Sequence, residues 1–254
     1  MHKLLAGFVL LTPLACSAAG TLDVEANSVL RVPVKGDSLS LDRVHVAEGA
    51  ALLIPAQVKT LKVQSLELDR NARLGVFPGA QPLHIEVQQG TVADGAVIAA
   101  QGAAGSFERP ASRGRSLVLH LQDVSVENLL IDVRGGIGAP GYDGLDGGSA
   151  QAGGCLWGSA TRGGDGQNGA DGQNGAQGGE VRLEVAEGFD AERVKVRLEG
   201  GAGGAAGKAG QAGKRQDDKG CLLYSVDGGA GGRAGEPGKP GSEGAAGHLD
   251  VVRF

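Results

Sequence analysis

Residues 163–180 read GGDGQNGADGQNGAQGGE, which places a glycine at every third position from Gly163 to Gly178. Three further runs with the same spacing cover residues 135–147, 201–213 and 229–247. An α-helix repeats every 3.6 residues and a strand every two, so neither matches this period. The extended left-handed polyproline II conformation repeats every three residues. The runs therefore predict polyglycine II segments.

The side chains of a three-fold helix fall into three columns, and in these runs one column is glycine. Because glycine lacks a Cβ, a neighbouring backbone can approach that column closely, and the laterally directed N–H and C=O groups must find partners there. A second column of the 163–180 run is wholly polar and predicts a face toward solvent. Its members are Asp165, Asn168, Asp171, Asn174, Gln177 and Glu180. This sorting by column predicts an ordered bundle.

Two other structures share a glycine-rich composition. Flexible linkers are often glycine-rich, but their residues are not sorted in strict phase. A collagen triple helix also has glycine at every third position and needs abundant proline, whereas only Pro140, Pro237 and Pro240 occur in the runs. Both alternatives remain open at the sequence level, and the bundle is favoured.

A different repeat, of 22 residues, occupies the first part of the chain. Alternating apolar residues line one face of short strands in each unit, and a fixed period of this length predicts a solenoid. The matching positions are Leu39, Leu41, Val44, Val46, Leu52 and Ile54 with Leu61, Val63, Leu66, Leu68, Leu74 and Val76. The predicted fold is all-β with almost no α-helix, a short parallel β-solenoid, and a β-sandwich is the alternative.

A 66-residue register relates the two long glycine regions. It maps Gly135 onto Gly201 and Cys155 onto Cys221. Each region is predicted to form a hairpin, in which one glycine run leads to a turn at the cysteine and the next glycine run leads back. A disulfide between Cys155 and Cys221 is predicted to join the two turns. The predicted organisation is a signal peptide at 1–19, a β-solenoid at 20–134, and a polyglycine II bundle at 135–254 (135–179 and 201–247) that is interleaved with strands at 180–199 and 248–254.

The amino terminus is typical of an export signal. Lys3 precedes a short apolar run, and Ser17-Ala18-Ala19 resembles a cleavage site. Cys16 offers an alternative, lipidation after cleavage before it, which the preceding Pro13 disfavours. The expected location is periplasmic or extracellular, where a cysteine pair forms a disulfide.

The predicted hairpin tips carry large apolar residues in a chain that has few. They are Leu156, Trp157, Leu222, Leu223 and Tyr224. One interpretation is a small apolar plug that closes the end of the bundle. The other is a presented patch that contacts a surface, glycan or partner.

No motif in the chain predicts catalysis or a cofactor. Gly136 to Gly141 match a dinucleotide-loop pattern, but the match follows from the glycine phase and no amphipathic helix follows it. The tandem DGQNG sequences at 165–169 and 171–175 lack the apolar residue of a calcium nonapeptide. His45, His84 and His120 alternate with apolar neighbours, so they are predicted to face outward without binding metal.

The formal net charge of −5 argues against nucleic acid as a partner. No segment after the signal is apolar enough to span a membrane. The expected partners are a cell-surface glycan, matrix or another protein, and no oligomeric state is predicted.

The glycine half resembles two known kinds of polyglycine II bundle, the disulfide-stapled antifreeze proteins of snow fleas and the glycine-rich sandwich of certain phage tail-fibre adhesins. The likeness is architectural and rests on glycine phase and tip placement from Gly135 to Gly247. The first half resembles the β-solenoids of bacterial surface and secreted proteins. Together these resemblances imply an exported structural or adhesive protein without catalytic activity. A carbohydrate-active β-helix enzyme and an ice-binding protein are the alternatives.

Overall fold

The computed structural model describes residues 20–34 and 36–254, so the predicted signal peptide and Cys16 lie outside the described residues. Within those ranges the regular structure is β-strand, apart from one short 3-10 turn at Ala191–Arg193. No helix in this part of the chain is long and apolar enough to cross a membrane. The prediction of an all-β chain with almost no α-helix is confirmed.

The strands are short and follow one another closely in the first half of the chain. In chain order they are β1 (Thr21–Val24), β2 (Val29–Arg31), β3 (Ser38–Val46), β4 (Ala51–Ile54), β5 (Thr60–Leu68), β6 (Arg73–Val76), β7 (Leu83–Val92), β8 (Ala96–Ala99), β9 (Leu117–Val126), β10 (Leu129–Asp132), β11 (Val181–Val185), β12 (Val194–Arg197), β13 (Lys219–Gly220), β14 (Ser225–Val226) and β15 (Leu249–Arg253).

The first twelve strands alternate between two sheets. The spatial order is β1-β3-β5-β7-β9-β11-β15 in a seven-stranded sheet and β2-β4-β6-β8-β10-β12 in a six-stranded sheet. Every pairing in both sheets is parallel. Only β13 and β14 form a separate antiparallel pair. The chain therefore adds strands alternately to the two sheets.

The pairing register follows the 22-residue repeat. Leu39 pairs with Leu61 and Val44 with Leu66 in the larger sheet, while Leu52 pairs with Leu74 in the smaller one. These side chains alternate with polar ones along each strand, so one apolar row from each sheet points inward. The inward rows form a single buried core that runs from Val24 to Val185.

Strands β11, β12 and β15 belong to the same two sheets as the first half. Val181 pairs with Leu117, and Val181 also pairs with Leu249 on its other side. The long glycine regions are therefore connections from the smaller sheet to the larger one, from β10 to β11 and from β12 to β15.

Arg115 is fully buried, and among residues 20–34 and 36–254 it has no carboxylate partner. Its Nε donates to the carbonyl of Gln81 at 3.0 Å, and its Nη1 donates to the carbonyl of Phe77 at 3.3 Å. Its Nη2 donates to the carbonyl of Val58. Burial lowers the pKa of this guanidinium from its ordinary value. Arg115 thus satisfies carbonyl groups of two connections, Val58 between β4 and β5, and Phe77 and Gln81 between β6 and β7. The second connection departs from the 22-residue pattern, because β7 pairs with β5 at an offset of 24 residues.

The four glycine segments (135–147, 163–178, 201–213 and 229–247, here the first to the fourth) hydrogen-bond to one another at three-residue steps. The first donates to the third, from Gly138 to Ala202 at 2.9 Å and from Gly144 to Lys208 at 2.8 Å. The third donates to the second, as from Gly207 to Ala170 at 3.0 Å. In these ladders the backbone N–H groups of the glycine column donate to carbonyls of a neighbouring segment.

Further ladders complete the arrangement. In the second segment, the backbone N–H groups of the glycines at every third position donate to the fourth segment. The N–H group of the residue that follows each of these glycines donates to the first segment. The fourth donates to the third, as from Gly238 to Gly207 at 3.0 Å. The second and third segments therefore each contact all of the other three, and the first and fourth lie on opposite sides of them.

A polar ladder joins the fourth segment to the second. Side-chain oxygens of the second accept from backbone N–H groups of the fourth at 2.6 to 2.9 Å; the pairs are Asp165 with Arg233, Asn168 with Glu236, Asp171 with Lys239, and Asn174 with Ser242. The predicted solvent face is therefore exposed but is also hydrogen-bonded to a neighbour. Pro237 and Pro240 occupy the third position of their triplets, which donates in neither ladder, so their missing N–H costs nothing there.

Candidate contact site at the hairpin tips

The two long hairpins end at the same place. A disulfide joins Cys155 to Cys221 with their Cα atoms 5.8 Å apart, as the 66-residue register predicted. Next to it, the backbone N–H of Gly153 donates to the carbonyl of Asp227 at 3.2 Å. The two tips are thus linked covalently and by hydrogen bonding, and they form one local unit that we call the tip.

The first loop of the tip is a tight turn closed by its own backbone. The N–H of Gly154 donates to the carbonyl of Gly158 at 2.9 Å, and Gln151 and Thr161 form a β-bridge below it. Gly158 has φ +98, a conformation that L side chains rarely adopt. Leu156 and Trp157 lie at the outer end of this turn.

The second loop follows the same plan. The antiparallel pair β13 and β14 leads into it, and the N–H of Cys221 donates to the carbonyl of Tyr224 at 2.6 Å. The Tyr224 hydroxyl donates to the carbonyl of Cys155 in the other loop. Leu222 and Leu223 are left at the outer end, beside the disulfide.

The apolar side chains of the tip are unusually exposed. Leu156 and Trp157 are each 87% exposed, Leu222 is 97% exposed and Leu223 is 92% exposed. Tyr224 is 55% exposed, which agrees with its hydroxyl lying against the first loop. Side chains this exposed do not pack as an apolar plug between the hairpins. A large apolar cluster held outward by closed turns is instead typical of a contact surface.

The charges around the tip nearly cancel. Residues 150–162 and 214–228 contain four basic side chains, Arg162, Lys214, Arg215 and Lys219. The same ranges contain three acidic ones, Asp217, Asp218 and Asp227. Arg215 pairs with Asp217 at 3.4 Å, and Arg162 pairs with Asp165 at 2.9 Å. The apolar cluster therefore carries no strong field of either sign.

A groove of about 440 Å³ lies where the smaller sheet meets the glycine segments. Its lining includes Gln101 and Arg134, both of which donate to the buried carboxylate of Asp132; the Arg134 Nη2 atom lies 2.9 Å from Oδ2. Burial of Asp132 acts to raise its pKa, but hydrogen bonds from Arg134 and Gln101 outweigh burial and hold the pKa below its ordinary value. Asp132, Arg134 and Gln101 therefore satisfy one another, and the lining also includes Glu199, which lies 3.8 Å from Arg197, and Glu243.

Of the other sequence candidates, His84 is exposed, and the following have structural partners. Gly138 and Gly141, in the segment that matched a dinucleotide loop, donate their N–H groups to the third glycine segment. His45 Nε2 lies 3.1 Å from Asp69 Oδ2, and His120 Nδ1 lies 3.1 Å from Glu184 Oε2. Within residues 20–34 and 36–254, no group of three His, Cys, Asp or Glu side chains is placed to hold a metal ion.

Some structural residues were not anticipated from the sequence. Arg115, Asp132 and the side-chain acceptors Asp143 and Asp146 each hydrogen-bond to a group distant in the sequence, which for Asp132 is the Gln101 amide. The one available signal was the recurrence of Asp or Asn at a fixed place in the triplets.

Comparison with known proteins gave no match to a family model, to a curated protein or to a solved structure.

Proposed function

We propose that this chain is an exported, non-catalytic structural or adhesive surface protein whose tip makes the functional contact. In this proposal the two parallel sheets form a short β-solenoid, and the four glycine segments form a polyglycine II bundle that projects from it as a rigid arm. The observation that carries the proposal is the tip itself, where Leu156, Trp157, Leu222 and Leu223 are almost fully exposed beside a disulfide.

The arm is suited to hold the tip rigidly. Regular ladders join each glycine segment to its neighbours, and polar side chains add a further ladder between the second and fourth segments. A flexible linker has no such network, and these ladders lie within one chain, unlike those of a collagen trimer. A rigid arm reduces the entropy that would be lost when the tip binds.

Export is supported by two features. The amino-terminal sequence has the pattern of a signal peptide, and a disulfide is stable in an oxidising compartment. The proposed location is the periplasm, the cell surface or the extracellular space, with a glycan, matrix component, lipid or protein as the contacted surface.

The test is retention of protein-coated beads on three surfaces, one coated with phosphatidylcholine, one with glycans and one with matrix protein. The parent chain is expected to be retained on at least one of them under flow. Leu222→Ser with Leu223→Ser should reduce retention about tenfold, because exposed leucines contribute strongly when buried. Leu145→Ser is the matched control, since Leu145 is 67% exposed on the side of the bundle. Equal retention of the tip variant and the parent on every surface would remove the tip as the contact site.

A further inference from the structure

We infer that the tip inserts into the outer layer of an electrically neutral lipid bilayer. The inference rests on the proposed function, in which the tip is the contact surface, and it specifies the partner as a lipid surface.

The shape of the tip favours a fluid partner. Leu156, Trp157, Leu222 and Leu223 project separately from two tight turns, each at least 87% exposed. Five concave grooves of about 190 to 440 Å³ lie elsewhere on the described surface, and no tip residue lines any of these five. A protein partner would need a separate pocket for each projecting side chain, whereas acyl chains rearrange around any shape.

The chemistry of the side chains points the same way. Leucine partitions into the hydrocarbon region, and tryptophan and tyrosine prefer the membrane interface. A glycan site would need polar groups beside an aromatic face, and the Tyr224 hydroxyl already donates to Cys155. Three leucines beside one tryptophan match the lipid interface better than they match a sugar.

The backbone of the tip also suits an apolar environment. Unpaired N–H and C=O groups are costly in lipid. Both turns are closed by internal hydrogen bonds, from Gly154 to Gly158 and from Cys221 to Tyr224. These closures reduce the number of polar groups that must be dehydrated when the side chains insert.

Charge determines the kind of lipid. Four basic and three acidic side chains flank the tip, so residues 150–162 and 214–228 together carry one net positive charge. Attraction to an anionic surface needs a cluster of unpaired basic residues. Insertion should therefore occur in phosphatidylcholine and depend little on salt or on anionic lipid.

Trp157 provides the readout because it is the only tryptophan in the chain. The protein is mixed with phosphatidylcholine vesicles, with and without added phosphatidylglycerol, at low and high salt. We expect a blue shift of the Trp157 emission and quenching by lipids brominated on their acyl chains. Both effects should be similar in all four conditions.

Two variants keep Trp157 and so keep the readout. Leu222→Ser with Leu223→Ser should weaken vesicle partitioning about tenfold or more. Leu145→Ser, off the tip, should partition like the parent. Circular dichroism checks that both variants fold, and folding is expected to be unaffected because all three leucines are exposed.

The outcomes separate this inference from the proposed function. No blue shift with any vesicle, combined with loss of bead retention on glycan or matrix when Leu222 and Leu223 are replaced, would overturn the lipid partner and leave the contact role standing. Binding only in the presence of phosphatidylglycerol, abolished by salt, would overturn the neutral bilayer. Equal bead retention of the parent and the tip variant on every surface would overturn both proposals.

Discussion

The Oδ1 atom of Asp171 accepts a hydrogen bond from the backbone N–H of Lys239 at 2.6 Å. The two residues lie in different hairpins, 68 positions apart in the sequence. The same relationship recurs one triplet earlier, between Asn168 and Glu236 at 2.8 Å. A short polar side chain in one glycine segment thus provides an acceptor for a donor that the glycine ladders leave unused.

We predict that these side chains stabilise the packing of the glycine segments as acceptors and not as charges. Replacing Asp165, Asn168, Asp171 and Asn174 together by alanine should lower the free energy of unfolding by about 2 to 4 kcal/mol, since each lost hydrogen bond contributes about 0.5 to 1 kcal/mol at an exposed site. Thermal unfolding followed by circular dichroism measures the change.

The control exchanges Asp and Asn at the same four positions, which preserves every side-chain oxygen. The free energy of unfolding of this variant should be close to that of the parent. A loss as large as that of the alanine variant would show that the carboxylate charges, and not the acceptor oxygens, stabilise the contact.

Close approach of backbones makes some glycines irreplaceable. A Cβ built on Gly207 would lie 1.9 Å from the carbonyl oxygen of Tyr142, and one on Gly172 would lie 2.2 Å from that of Gly204. Because the obstructing atoms are backbone, no side chain can move aside. Gly207→Ala should destabilise the protein by about 3 kcal/mol or more in urea unfolding.

Gly148 is a matched control in the same region of the chain. A Cβ at Gly148 would meet nothing within 4 Å. Gly148→Ala should therefore unfold within about 0.5 kcal/mol of the parent. If Gly207→Ala is equally neutral, the segments are not packed as closely as their hydrogen bonds require.

The features that were predictable from the sequence depend on repeats that recur along the chain. The pairing of Leu39 with Leu61 and the joining of Cys155 to Cys221 each follow from matching a repeat to itself. The bond from Lys239 to Asp171 does not, because it depends on the rotation and axial shift of one segment against another. Arg115 was missed for the same reason, since its carbonyl partners lie in earlier turns of the chain.

The disulfide should stabilise the glycine segments more than the sheets. Cys155 and Cys221 enclose 66 positions, for which loop-closure entropy gives about 4 kcal/mol. Replacing both by serine should accelerate amide exchange in residues 135–178 and 201–247 and leave β3, β5 and β7 protected. Hydrogen exchange read by mass spectrometry distinguishes the regions. Uniform acceleration would indicate that the sheets and the glycine segments unfold as one unit.

Arg115 is predicted to be essential for the two connections whose carbonyls it satisfies. Arg115→Met retains length and apolar bulk but leaves the carbonyls of Val58, Phe77 and Gln81 without their donor. We expect a loss of about 2 to 3 kcal/mol in urea unfolding, because an unsatisfied buried acceptor costs more than a hydrogen bond contributes. Arg113→Met is the control, since Arg113 is exposed and lies 3.8 Å from Glu180 in a surface pair. Equal effects of the two substitutions would contradict this role.

Asp132 should make stability depend on pH in the acid range. Its pKa is lower in the folded protein than in the unfolded chain, because hydrogen bonds from Arg134 and Gln101 outweigh the effect of burial. A depressed pKa stabilises the folded state at pH values above the ordinary carboxyl pKa, and that contribution is lost as the pH falls through the folded value.

Urea unfolding from about pH 6 to about pH 2 spans this transition. Asp132→Asn removes the titrating group, so the free energy of unfolding of the variant should fall less steeply with acid than that of the parent. The comparison isolates Asp132 from Glu184 and Asp190, whose pKa values are also lowered and which titrate in both proteins. If the free energy of unfolding falls with acid equally steeply in parent and variant, the hydrogen bonds from Arg134 and Gln101 to Asp132 do not contribute to the acid sensitivity of the fold.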